Sequence, residues 1–211
     1  SSDVCSSDLV VLEEKVGDVV CLVRAGAGKG VINASFTIPR LPAFIRPLDD
    51  AGAIAAALSL DARDIGFDAH RAGVWSAGNP QAFIPIASRA AVAQARVVMP
   101  AFADVFGDVA SVYVYAKECE RAGSDVHARS FAPLLGIPED PATGSAAAAF
   151  AGVATAWERP EDGEHALVIE QGFEMGRPSL ITLGVEIVGG ALASATVGGD
   201  VVMVGQGFIE A

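Results

Sequence analysis

The sequence predicts an α+β fold in which a curled sheet wraps a single central helix. Three observations carry this. Residues 146–157 are all small or apolar except Thr155, whereas a surface helix is apolar on one face only, so this helix is expected to be covered on all sides. Short β-branched runs both precede and follow it, so a sheet is available to cover it. They do not alternate regularly with helical segments, which argues against a doubly wound α/β sheet.

In chain order, residues 1–9 read SSDVCSSDL, a near-duplication that matches no structural period. They are either a leader foreign to the fold or a low-complexity tail. Residues 10–12, 19–23 and 31–38 are strand-like. The glycine cluster at 26–30 lacks the Gly-Lys-Ser/Thr ending of a phosphate loop and leads into no helix, so it reads as a hairpin turn. Pro39, Pro42 and Pro47 interrupt both ladder and helix, placing a domain junction near residue 47. Asp49 and Asp50 cap a helix over 51–58, a turn follows at 61–65, and Ser88 caps a short helix to residue 94. Strands are expected at 73–76, 82–86, 111–116 and 125–131. After a loop at Asp140 and the buried helix come 165–170, 179–188, 191–197 and 201–204, with turns at Gly189-Gly190 and at Gly198, Gly199 and Asp200.

The 211 residues are 52% hydrophobic and 19% charged, with a net charge of −12. Such a chain can bury a real core. Its acidity opposes a nucleic-acid or anionic-membrane partner, because both require a basic surface, and favours a small molecule. No run reaches the roughly 20 apolar residues of a membrane span, so the expected location is the cytoplasm. Cys5, Cys21 and Cys119 have no metal-ligand spacing and read as unpaired thiols in a reducing compartment. His70, His127 and His165 are likewise scattered, so no metal is expected.

The chemically suggestive stretch is EDPATGS, residues 139–145. It supplies capping side chains, a helix-starting proline and a glycine at the N-terminus of the buried helix, where unpaired amides attract an anion. The Gly144 and Ser145 amides, with Thr143, could hold an anionic group. Asp140 is either an N-cap or the acceptor of a substrate ammonium or hydroxyl, and both roles can coexist. Arg129 could fork onto a substrate carboxylate or pair with Glu139. Asn79, in a Gly-Asn-Pro turn, is a further candidate for substrate contact. Arg177 is either structural or near the cleft.

The runs RSFAP (129–133), GIPEDPATGSAA (136–147), EQG (170–172) and MGRPS (175–179) closely resemble the PhzF-like, phenazine-biosynthesis family, and the likeness extends from Val10 onward. The resemblance implies a diaminopimelate-epimerase-like fold, two barrels each around a helix with the active site between them. It also implies cofactor-independent isomerase chemistry on a small amino or hydroxy carboxylate, with Asp140 as the catalytic residue in this chain and Gly144 and Ser145 binding substrate. The reactive cysteine of epimerase relatives is absent from this helix start. Family members also bring a catalytic glutamate and a Gly-His-x-Thr segment from their first domain, and no Gly-His pair occurs here. Glu13 and Glu14 lie in a strand and do not replace that base. The expectation is an N-terminally truncated member, with residues 10–47 the remnant of the first barrel and 48–211 the second, its last strand able to pack on the remnant. Such a fragment would lack activity and could associate, for instance as a homodimer, through its exposed first sheet. The alternative is a non-catalytic small-molecule-binding homologue.

Overall fold

The computed structural model describes residues 8–15, 17–26, 30–203, 205, 207 and 208. Among these residues twelve strands and four α-helices form a sheet-rich α+β fold. The strands are β1 (Asp8–Glu14), β2 (Gly17–Ala25), β3 (Val31–Thr37), β4 (Ala43–Pro47), β5 (Gly73–Ser76), β6 (Pro80–Pro85), β7 (Ser111–Ala116), β8 (Val126–Ala132), β9 (Ile137–Asp140), β10 (Gly163–Gln171), β11 (Ser179–Val188) and β12 (Ala191–Val202). The helices are α1 (Ala51–Leu58), α2 (Arg89–Gln94), α3 (Ala101–Phe106) and α4 (Gly144–Glu158). One sheet runs β1-β2-β3-β12-β11-β10-β8-β7-β6-β5-β4, with β9 added beside β8. Among the described residues only β6–β7 and β8–β10 pair in parallel. Parallel neighbours need a crossover, and these crossovers hold α2 with α3 and α4 respectively.

The two crossovers lie on opposite faces. α4 packs with Trp75, Phe83, Tyr113, Tyr115, Ile169 and Leu183, drawn from strands across the sheet. Its residues 146–154 are all buried, so the sheet does curl around it, as its unbroken apolar sequence requires. Gly152 allows the closest approach: a Cβ there would stand 2.7 Å from Pro42 Cβ and 2.9 Å from the Trp75 ring. On the other face α1, α2 and α3 form a second core with Ile84, Val112, Val114 and Phe131. Tyr113 and Tyr115 thus face α4 while Val112 and Val114 face outward, the period-two alternation of a strand buried on both sides.

Several elements differ from expectation. The proline-rich stretch contains β4, which pairs with β5; it is an edge strand, where Pro47's missing N–H interrupts no second ladder. α3 is an unexpected helix, and no side-chain cap marks its start. Residues 191–202 are one strand, not two around a turn. Gly198 and Gly199 sit inside it because β3 and β11 approach closely: a Cβ on Gly198 would lie 2.7 Å from Ser35 Cβ, and one on Gly199 2.8 Å from the Leu180 carbonyl oxygen. Through this strand the end of the chain joins residues 31–37, with Val197 opposite Phe36 and Val202 opposite Val31. The hairpin expected at 26–30 joins β2 to β3, Ala25 pairing Ile32; residues 27–29, Val204, Cys5 and most of the suspected leader lie outside the described residues, although Asp8 and Leu9 already belong to β1.

Candidate active site

The EDPATGS stretch sits where β9 turns into α4. The loop expected at Asp140 is partly a strand: Asp140 ends β9, opposite Ser130 of β8. The loop's conformation is fixed by Gln171, a fully buried side chain at the end of β10. Its Nε2 donates to the Asp140 carbonyl at 2.6 Å and to Thr143 Oγ1 at 2.9 Å. Its Oε1 accepts from the Tyr113 hydroxyl at 3.1 Å and the Thr143 amide at 3.3 Å. Burial, then the charge of Asp140, push the Tyr113 pKa well up, so this hydroxyl stays protonated and donates.

Thr143, buried by this network, donates its hydroxyl proton to Asp140 Oδ2 at 2.8 Å. The Asp140 carboxylate is therefore oriented from one side, and its side chain is only half-buried. Thr143 is the N-cap residue by position but makes no side-chain cap bond. Among the described residues the Gly144 and Ser145 amides donate to nothing, whereas Ala146 and Ala147 already bond the Thr143 carbonyl. Two unpaired donors thus stand at the positive end of a 15-residue helix. Ser145 is exposed, and its Oγ accepts from Gln81 Nε2 at 3.0 Å. Gln81 is in turn fixed by Ser111, whose hydroxyl donates to Gln81 Oε1 at 2.8 Å. An Oγ that accepts from Gln81 keeps its own proton for a ligand. Asn79 is exposed two residues before Gln81, at the same end of β6.

A cleft of about 810 Å³ opens beside this helix start, walled by Ala142, Gly144, Ser35, Phe36, Ser179 and Gly198, among others. It therefore lies between α4 and the β3–β12–β11 part of the sheet. Gly144 is on its wall; Asp140 and Ser145 belong to the same turn but are not among the lining residues.

Arg129 does not join this site. Successive β8 side chains alternate, Val126 and Ala128 toward α4 and Phe131 toward the outer core, and Arg129 shares the outer face. Its Nε and Nη2 each donate to a Glu139 carboxylate oxygen at 2.8 Å, and its Nη1 to the carbonyls of Val92, Ala93 and Ala95. The ion pair expected as the alternative is the arrangement present, and the guanidinium ties β9 to the end of α2.

Sequence reasoning missed Gln171 and Gln81 as site residues. Gln171 lies in the EQG run, and the only clue was its company. Gly172, at φ +80°, brings this turn against Pro141, where a Cβ would stand 2.8 Å from the Pro141 carbonyl oxygen. Beside it, the buried Glu170 accepts from His127 Nδ1 at 2.6 Å and from the Glu120 and Arg121 amides. His127 Nε2 reaches Glu174 at 2.8 Å. Burial disfavours charge on His127, but hydrogen bonds to Glu174 and Glu170 outweigh it and hold its pKa above the ordinary value. Glu170 and Glu174 are held below theirs against the same burial. No group of three or more His, Cys, Asp or Glu side chains among the described residues could hold a metal ion, and no helix among them is long and apolar enough to cross a membrane.

The sheet-wrapped helix thus puts the unpaired Gly144 amide on the wall of a cleft, with the Asp140 carboxylate held in the same turn. The chain belongs to the PhzC-PhzF family, described as phenazine biosynthesis-like protein, which matches residues 1–207. An uncharacterized isomerase of Mesorhizobium japonicum is 43% identical over 204 residues, covering 94% of this chain and 67% of that protein. An uncharacterized isomerase of Deinococcus radiodurans is 35% identical over 141 residues, 65% of this chain and 43% of that one. The fold matches the crystal structure of the Bacillus anthracis phenazine biosynthesis protein of the PhzF family, with a TM-score of 0.79 at 20% identity, over 93% of this chain and 67% of that one. It also matches a predicted epimerase from Pseudomonas aeruginosa, with a TM-score of 0.68 at 24% identity, over 97% and 69% of the two chains.

Proposed function

We propose that this chain provides the greater part of a PhzF-type isomerase, which moves a proton on a small amino or hydroxy carboxylate without a cofactor. The observation that carries the reading is the pair of unpaired Gly144 and Ser145 amides beside the oriented Asp140 carboxylate. In this reading the amides and the Ser145 hydroxyl receive the substrate carboxylate. Asp140 accepts from its ammonium or hydroxyl, and Thr143 and Gln171 keep Asp140 in place. Asn79 reaches the substrate from the rim. The arrangement is diaminopimelate-epimerase-like, with residues 10–47 belonging to a first barrel and 48–211 forming the second. No Gly-His pair occurs in these 211 residues; in this reading the Gly-His-x-Thr segment and the glutamate implied by the family stand on the opposite wall and supply the proton carrier. A cytoplasmic location and a homodimer belong to the same reading.

A non-catalytic binder is the second reading. It is favoured by the cleft's own titratable groups, which are Cys21 and Asp200, the latter already accepting from Asn33 Nδ2 at 2.9 Å.

Titrating the ¹⁵N-labelled chain with small amino acids and aromatic carboxylates tests the site. Saturable shifts are expected at the Gly144 and Ser145 amides, weakened about tenfold in Asp140→Asn, the loss of one charge-assisted bond. If no carboxylate shifts these amides, the site assignment fails. Extending the chain by the residues through which the Mesorhizobium relative is longer, and following solvent deuterium into the bound ligand, separates the readings. Incorporation identifies the isomerase; binding without exchange identifies the binder.

A further inference from the structure

A second cavity, of about 460 Å³, lies at the opposite end of α4. Phe150, Ala154 and Glu158 line it; at spacings of four they form one stripe of the helix. With Val126 of β8 and Leu167 of β10, Phe150 and Ala154 make its interior apolar. Four of its polar groups, Lys117, Glu158, His70 and Tyr115, form a connected chain, and Ser124 and Asp125 line the cavity besides. Lys117 Nζ lies 2.6 Å from Glu158 Oε1, the same oxygen that His70 Nε2 reaches at 2.5 Å. His70 Nδ1 lies 2.8 Å from the Tyr115 hydroxyl.

The protonation of this chain follows from its members. A carboxylate can only accept, so His70 carries its proton on Nε2, and a neutral ring then accepts at Nδ1 from Tyr115. Burial, opposed by the Glu158 hydrogen bond and charge, holds the His70 pKa below its ordinary value, consistent with that neutral form. Burial, then the Glu158 charge, keeps Tyr115 protonated. The formal charges lining the cavity are therefore one cation, Lys117, against two anions, Glu158 and Asp125. Asp68, 3.7 Å from Lys117, adds a further negative charge beside the rim. The C-terminal end of α4 contributes partial negative charge of the same sign.

A cavity of this size, apolar inside with a few convergent polar groups, has the character of a small-molecule site. Its charge excess selects the sign of the ligand. We infer that it is a second binding site, separate from the cleft at the start of α4, for a small primary ammonium with an apolar body, such as an arylalkylamine. The apolar body lies against Phe150, Ala154 and Leu167, where its removal from water supplies most of the affinity. The ammonium sits at the rim among the carboxylates of Glu158 and Asp125.

The experiment titrates the 211-residue chain with 2-phenylethylammonium and, separately, with 3-phenylpropionate, by calorimetry and by amide shifts. The amine is expected to saturate one site, with shifts at Ala154 and Leu167, and to bind at least about tenfold more tightly than the anion. Ala154→Phe fills the interior and should abolish binding. Asp125→Asn, at an exposed mouth residue whose Oδ2 accepts from the Val168 amide, keeps an acceptor there and should weaken the amine by about three- to tenfold. Gly144→Ala, at the other end of the helix, should leave amine binding unchanged. Anion binding equal to or tighter than the amine overturns the inference, as does amine binding indifferent to both Ala154→Phe and Asp125→Asn, or no saturation by the amine at all.

Discussion

Replacing Gln171 by leucine, nearly equal in size, tests the claim that this side chain holds the Asp140 turn. The change removes donors to the Asp140 carbonyl and to Thr143 Oγ1, and the acceptor for the Tyr113 hydroxyl and the Thr143 amide. Thr143 Oγ1 retains its bond to Asp140, and its amide bond, at 3.3 Å, was the longest of the set. Two groups then lose a good partner outright, the Asp140 carbonyl and the buried Tyr113 hydroxyl. At about 1–3 kcal/mol for each buried group left unpaired, the loss should be about 4 kcal/mol, or about 8–16 °C in midpoint for a chain of this length. Removing the Tyr113 hydroxyl as well eliminates one of those orphans. The double variant Gln171→Leu with Tyr113→Phe should therefore be about 1–2 kcal/mol more stable than the sum of the single losses. Urea unfolding followed by the fluorescence of Trp75 and Trp157 measures all four proteins. A Gln171→Leu loss below about 1 kcal/mol, or strict additivity, would refute the reasoning.

The other predictions concern backbone space and charge. Gly172→Ala should cost about 3 kcal/mol, because φ is +80° and the new Cβ collides with the Arg177 carbonyl. Gly144→Ala, with nothing within 4 Å of its Cβ, should change stability by less than about 0.5 kcal/mol yet weaken carboxylate binding at the helix start; denaturation and titration on the same samples check both. Gly152→Ala gains about 1 kcal/mol of helix propensity but meets Pro42 and Trp75 at under 3 Å, and overpacking at about 1–3 kcal/mol should win. A stabilised Gly152→Ala would show that the sheet does not clamp α4 there. His127 has a raised folded pKa, so its charge stabilises the fold fully below about pH 6.5 and this is lost as pH rises through the folded value. Its partners Glu170 and Glu174 have lowered values, so their contribution is present above about pH 4.5 and lost as pH falls. The stability difference between the native chain and His127→Gln should be largest between about pH 4.5 and 6.5 and shrink above neutrality. His70, held low by burial, works in the opposite sense, disfavouring the fold as pH drops below about 6.5.

Whatever depends on a residue and its near neighbours was legible in the sequence. The unbroken apolar run from 146 to 157 required a covered helix, and residues 146–154 are buried. Asp50 and Ser88 marked the starts of α1 and α2 because capping is a bond to an amide three residues away, and both bonds are present. The unpaired amides at Gly144 follow from helix geometry alone.

Position across the sheet was decided only by the tertiary structure. Proline near β4 is harmless because that strand is an edge, and edge status depends on which strands pair elsewhere. Gly198 and Gly199 carry the local signature of a turn, yet they lie in a strand because β3 and β11 leave no room for a Cβ. Arg129 could have faced either side of β8; the register that puts Val126 and Ala128 against α4 sends it to Glu139 and the end of α2. Gln171 acquires its role from Tyr113, 58 residues away, and Asp140, 31 residues away, so no pattern local to the EQG run could announce it. The turn at 139–145 could be recognised by its own residues as a place where an anion can sit. What holds it there is a glutamine from the next strand, because the buried polar groups of a turn must find partners wherever the fold supplies them.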